Sequence, residues 1–216
     1  AAAYKMATRT AEQADTIDKL SERTGIHREE LQRWMHAADQ SDVSIESFSK
    51  GVKKMSEQLD RANEGSESAR ANFERVGLSL DDLNKMSLEQ QFDAIASALA
   101  DMEEGAERNA LGNQLLGRSY VDMLPLLNAG SDGIKELKQE ADELGMVMSE
   151  ETVGAGVVLG DTIANVKDSF NGLINRVGAA AIPMIQKFAD MIIAAVPTLV
   201  KIMDGLIPII TSIFEN

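Results

Sequence analysis

Two histidines, His27 and His36, stand nine residues apart, and the chain has no cysteine. A helical zinc site pairs ligands at i and i+4, as in HExxH, and no such motif occurs here. Without cysteine there is no thiolate zinc site, no disulfide framework and no thiol nucleophile. Adjacent carboxylates recur at Glu29–Glu30, Asp81–Asp82, Glu103–Glu104 and Glu150–Glu151. Most stand where a helix should begin, so they oppose the helix dipole rather than form an acid–base pair. "GAGVVLG" at 154–160 lacks the Lys-Ser/Thr of a phosphate-binding loop. The expectation from these residues is a non-enzymatic protein with no cofactor and no metal.

One further stretch, "LSERTGIHREELQRW", has the form helix, turn, helix with Leu31 and Trp34 facing inward. That form admits DNA recognition. Its second helix offers Arg28 and Arg33 but also Glu29 and Glu30, aimed at phosphate. A plain helical corner with Trp34 in the core is the simpler expectation. Charge agrees: the net is −14, and residues 76–151 hold 16 acidic against 5 basic groups. Such a field repels phosphate, so no specific nucleic acid is expected.

The elements that would position these residues are helices. Aromatic content is 4% against 44% hydrophobic, so the core draws on Leu, Ile, Val, Met and Ala, a mix suited to helices. Ser44 is placed to cap a helix whose Phe48, Val52, Met55 and Leu59 form one apolar stripe. Ser87 and Gln90 spell a capping box before the stripe Leu88, Phe92, Ile95 and Leu99. Gly117, Gly130 and Gly145 are placed to close the helices before them in a left-handed conformation. From Ser149 charge thins, and Gly154, Gly156 and Gly160 are expected to loosen the first turns.

The C-terminal run from Ile182 to Phe214 is as apolar as a membrane anchor, yet it contains charges and three prolines. Its longest uncharged runs are ten residues, against the ~20 that a span needs. On a wheel of ~100° per residue, Pro183, Lys187, Asp190, Pro197, Lys201, Asp204 and Pro208 fall within an arc of roughly 100°. Asp161, Asp168 and Arg176 continue the same polar stripe upstream. Ile185, Ile192, Leu199, Leu206 and Ile213 mark the apolar face. With the prolines on the wet side, the helix bends toward its apolar side. Two outcomes stay open: packing in a bundle with the stripe in water, or an oligomeric membrane pore lined by the stripe.

Residues 73–145 carry an ordered set of motifs: Leu116-Gly117-Arg118-Ser119, then Leu124-Pro125-Leu126-Leu127-Asn128, Gly130, Glu140-Ala141 and a closing Leu144-Gly145. This order resembles the conserved region of phage tail tape measure proteins, and the likeness extends roughly from Ile17 to Ile193. Leu116 stands where the family often has Phe, and Tyr120 where it often has Gly. The resemblance implies a helical structural protein in the lumen of the tail tube that sets tail length and leaves ahead of the DNA on ejection. It implies a homo-oligomer, a trimer or a hexamer. It also implies tail tube protein, tail assembly chaperones and distal tail or baseplate hub proteins as partners, and the host membrane on ejection. Localisation would be the virion, and the host cytoplasm during assembly.

At ~1.5 Å per residue the chain would span at most roughly 320 Å, so it is expected to be a fragment. The expected architecture is all-α and elongated, with short amphipathic helices before a long Pro-kinked apolar helix that self-associates. Its expected divisions are an N-terminal helix over 1–23, a short-helix region over 24–148 and the long helix over 149–216. The alternatives are a membrane-active pore former and a helix-turn-helix DNA-binding protein.

Overall fold

Serine caps and glycine stops divide the chain into helices, with no strand among the described residues. The computed structural model describes residues 2–177 together with Pro183, Gln186, Lys187, Asp190, Met191 and Ala194. Among the described residues ten helices follow in order: α1 (Ala2–Thr24), α2 (Arg28–Gln40), α3 (Ile45–Asn63), α4 (Glu67–Arg75), α5 (Leu80–Leu83), α6 (Leu88–Asp101), α7 (Ala106–Leu116), α8 (Ser119–Leu127), α9 (Gly130–Glu143) and α10 (Glu150–Val177).

Local chemistry sets these boundaries. Ser44 Oγ accepts the Ser47 N–H at 3.1 Å and so satisfies a donor that the first turn of α3 leaves free. Ser87 and Gln90 close both halves of the capping box on α6. At Gly117, φ is 65° and ψ is −151°, a region closed to residues with a Cβ. The chain can turn from α7 into α8 there only on glycine.

The helices fall into two compact units, and the division runs inside α1 and α10 rather than at their ends. The larger is Thr16–Val153. Within it α3 is surrounded by α2, α4, α7 and α8, while α9 lies against α2 and α6. Phe48, Val52, Met55 and Leu59 are all buried along α3, as are Phe92, Ile95 and Leu99 on α6, with Leu88 at the edge. At the centre the rings of Trp34, Phe48 and Phe92 meet pairwise, with centroids 4.9 to 5.6 Å apart. Each such side chain contributes about 1.5–3 kcal/mol of burial. Trp34 is fully buried, as its place in the apolar pattern predicts.

The smaller unit takes the start of α1, to Asp15, and α10 from Gly154. Contrary to the expectation of loosened turns, α10 is unbroken through Gly154, Gly156 and Gly160. A Cβ on Gly156 would lie 2.5 Å from the Ala14 Cβ, and one on Gly160 would lie 3.6 Å from that of Ala11. At Gly156 the missing side chain lets two helix backbones approach closely, which outweighs the roughly 1 kcal/mol that glycine costs in a helix.

Candidate functional site

His27 and His36 are not brought together. His27 is exposed, with its ring 3.5 Å from Glu89. His36 is buried, and its Nε2 lies 3.3 Å from a Glu140 carboxylate oxygen. Among the described residues no group of three or more His, Asp or Glu could hold a metal ion. Glu29–Glu30, Asp81–Asp82 and Glu150–Glu151 occupy the first turns of α2, α5 and α10, the dipole-opposing positions. The 154–160 glycines lie inside α10 and form no loop.

The most developed polar arrangement is a seam along α2. Residues 28, 29, 32, 33 and 36 share one helical face and meet the chain from 140 to 150, which runs the opposite way. His36 faces Glu140. Arg33 Nε donates to both oxygens of Asp142 at 3.0 and 2.9 Å, and its Nη1 reaches Glu30. Gln32 Nε2 donates to the Met148 carbonyl at 2.8 Å, while the Met148 N–H donates back to Gln32 Oε1 at 2.8 Å. The Glu150 N–H donates to Glu29 at 3.4 Å. Arg28 binds Asp18 through Nη2 and Glu150 through Nη1, the latter at 2.7 Å.

Both arginines are held above their ordinary pKa despite partial burial. The hydrogen bond donated to Asp18 acts most strongly on Arg28, and those donated to Asp142 act most strongly on Arg33. Lys138 of α9 joins the seam at Glu30 and Asp93, at 2.5 and 2.6 Å, and stands 4.7 Å from the centroid of the Trp34 ring. The second helix of the helix-turn-helix pattern thus turns its two arginines onto acidic groups of its own chain. Sequence alone did not reveal this, because two of the partners, Asp142 and Glu150, lie more than 100 residues away.

The motif residues form the corner between α7 and α8. Leu116, Leu126 and Leu127 are fully buried, Ser119 is buried, and Leu124 is half-buried. Arg118 and Pro125 are exposed, Pro125 on the outer side of α8. Gly130 and Gly145 have φ of +75° and +63°, at the entry to α9 and just after it. Tyr120 packs its ring over Gly112, where a Cβ would lie 2.2 Å from two ring carbons. Its hydroxyl donates to Asn109 Oδ1 at 2.9 Å. Burial, more than the nearby charges, raises its pKa. Tyr120 is accommodated by a glycine eight residues earlier.

Beside it Arg108 is 2% exposed, and its Nε and Nη2 have no hydrogen-bond partner. Glu104, itself 78% exposed, stands 3.9 Å from its Nη1. This buried arginine was missed from sequence. The signal was present, because positions 108, 111 and 115 share the helical spacing of the buried Leu111 and Leu115.

On α10, Asp161 and Asp168 of the polar stripe are exposed, and Arg176 lies in the same helix. Pro183, Lys187 and Asp190 are helical and exposed. Leu159 and Val166 of the same helix are exposed as well. Pro197, Lys201, Asp204 and Pro208, and the apolar positions Ile185, Ile192, Leu199, Leu206 and Ile213, lie outside the described residues. No helix among the described residues is long and apolar enough to cross a membrane. Comparison with protein-family models, with curated proteins and with solved structures returns no match.

Proposed function

We propose that this chain is a structural, non-enzymatic segment of a phage tail tape measure protein. In this reading it lies in the tail tube lumen, sets tail length through its helical rise and leaves during DNA ejection. The observation that carries the reading is the ordered likeness of residues 73–145, from the Leu-Gly-Arg-Ser motif to the closing Leu-Gly. Two features support it. The motif's Leu116, Leu126 and Leu127 are core residues of the α7–α8 corner, and Gly117 is the turn that makes the corner. A fold-determining role of this kind suits a family whose shared pattern is not catalytic. The long α10, with acids on one side and exposed Leu159 and Val166 elsewhere, suits a helix that meets other helices.

The partners that fit are copies of the same chain, as a trimer or a hexamer, then tail tube protein, assembly chaperones and distal hub proteins, with the host membrane met on ejection. DNA recognition through α2 is disfavoured, because Arg28 and Arg33 are engaged by Asp18, Glu150, Glu30 and Asp142. Mass spectrometry of purified tailed particles, before and after DNA ejection, tests the reading. Peptides of this chain should be abundant in intact particles and depleted from emptied tails. Their absence from intact particles would end it.

A further inference from the structure

We propose that the joint between α9 and α10 is a releasable strap, clasped by Gln32 and opening without the core. Gln32 is only 7% exposed, and its amide satisfies the N–H and the C=O of a single residue, Met148. The same Nε2 also donates to the Arg28 carbonyl at 3.1 Å, which ties the amide to its own helix. A buried amide that pairs both groups of one backbone unit holds that unit in place, and an apolar side chain there would leave both groups unpaired.

The joint has little else to hold it. Leu144 is 62% exposed and Met146 is 49% exposed. The flanking ion pairs, Arg33–Asp142 and Arg28–Glu150, have carboxylates about half in water, at 47% and 49% exposure, so salt screens them. The nearest fully buried apolar residues on either side are Ala141 and Val153, both at 0%. Between them Val147 and Met148 are half-buried and every other residue is exposed. A segment that exposes little apolar surface on opening opens at a free energy well below that of global unfolding. The segment between Ala141 and Val153 then separates from α2, while those two residues and Trp34, Phe48 and Phe92 stay packed. The strap stands whatever tube or partner surrounds the chain.

Hydrogen exchange on the 216-residue chain tests this, read at the Met148 amide that bonds Gln32 and at Met55 in α3. In Gln32→Ala the Met148 amide should exchange about 10-fold faster with Met55 unchanged. In the unaltered chain, raising salt from about 0.05 M to about 1 M should speed Met148 and not Met55. Arg28→Gln, at a part-exposed position, should do the same at low salt. An unchanged Met148 rate in Gln32→Ala would overturn the clasp. Met148 and Met55 exchanging in step under both salts would overturn the strap, even if Gln32→Ala fails to fold.

Discussion

Gly112→Ala puts the α7–α8 corner to a quantitative test. The new Cβ would sit 2.2 Å from Cδ2 and Cε2 of Tyr120 and 2.6 Å from its Cγ, more than an ångström inside ordinary contact. The ring is 1% exposed and cannot swing into water. It must shift bodily, which strains the bond from its hydroxyl to Asn109. Overpacking of this kind costs about 1–3 kcal/mol, and a lost hydrogen bond adds about 1 kcal/mol. Alanine's better helix propensity returns about 1 kcal/mol. The net expectation is a loss of about 1–3 kcal/mol, or a fall of roughly 1 M in the urea midpoint.

The assay is urea denaturation followed by fluorescence of Trp34, the chain's one tryptophan, which lies at the centre of the aromatic cluster. In a Tyr120→Leu background the same Gly112→Ala change should be neutral or stabilising by up to ~1 kcal/mol, because the ring is gone. A Gly112→Ala chain as stable as the parent, or equal effects in both backgrounds, would refute the packing argument.

Three further outcomes are expected. Arg108→Met should hold or raise the urea midpoint, since replacing a poorly paired buried charge by an apolar side chain is often neutral or stabilising by about 1–4 kcal/mol, whereas Arg108→Ala should lose about 2 kcal/mol to the cavity. The Glu89 carboxylate is held below its ordinary pKa: burial pushes it up, but its own N–H, the Ser87 hydroxyl and the His27 N–H together outweigh burial. Its stabilisation is therefore complete above the ordinary carboxylate range and lost as pH falls through the lower folded value. The urea midpoints of wild type and Glu89→Gln should accordingly converge from pH ~7 to pH ~3. Finally, if the helical wheel read from the sequence holds, Leu199→Asp should reduce self-association in light scattering, while Lys201→Glu should not. The reverse order, with untriggered leakage of liposomes, would favour a pore.

What the sequence made legible was local. Ser44 and the Ser87–Gln90 box act within one turn, and Phe48, Val52, Met55 and Leu59 follow a 3.6-residue period, so neither needs tertiary knowledge. Gly117 and Gly145 could be read because few other residues take those backbone angles. The α2 seam was not legible, since nothing in "HREELQRW" points to residues 140–150. Gln32 and Arg33 have the look of a solvated helix face until the fold brings a second chain segment against it. Gly156 was misread for the same reason: a glycine that loosens a helix and one that lets a neighbour approach are identical in sequence. Arg108 was overlooked although its spacing was apolar, because a charge among leucines is ordinarily assigned to the surface.

On the proposed reading, helical rise in this chain measures a tail. In a tailed phage that encodes this chain, an in-frame deletion removing residues 157–177 takes out 21 residues of α10. Electron microscopy of the resulting particles should find tails shorter by about 32 Å, at ~1.5 Å per residue. Assembled tails of unchanged length would contradict the account.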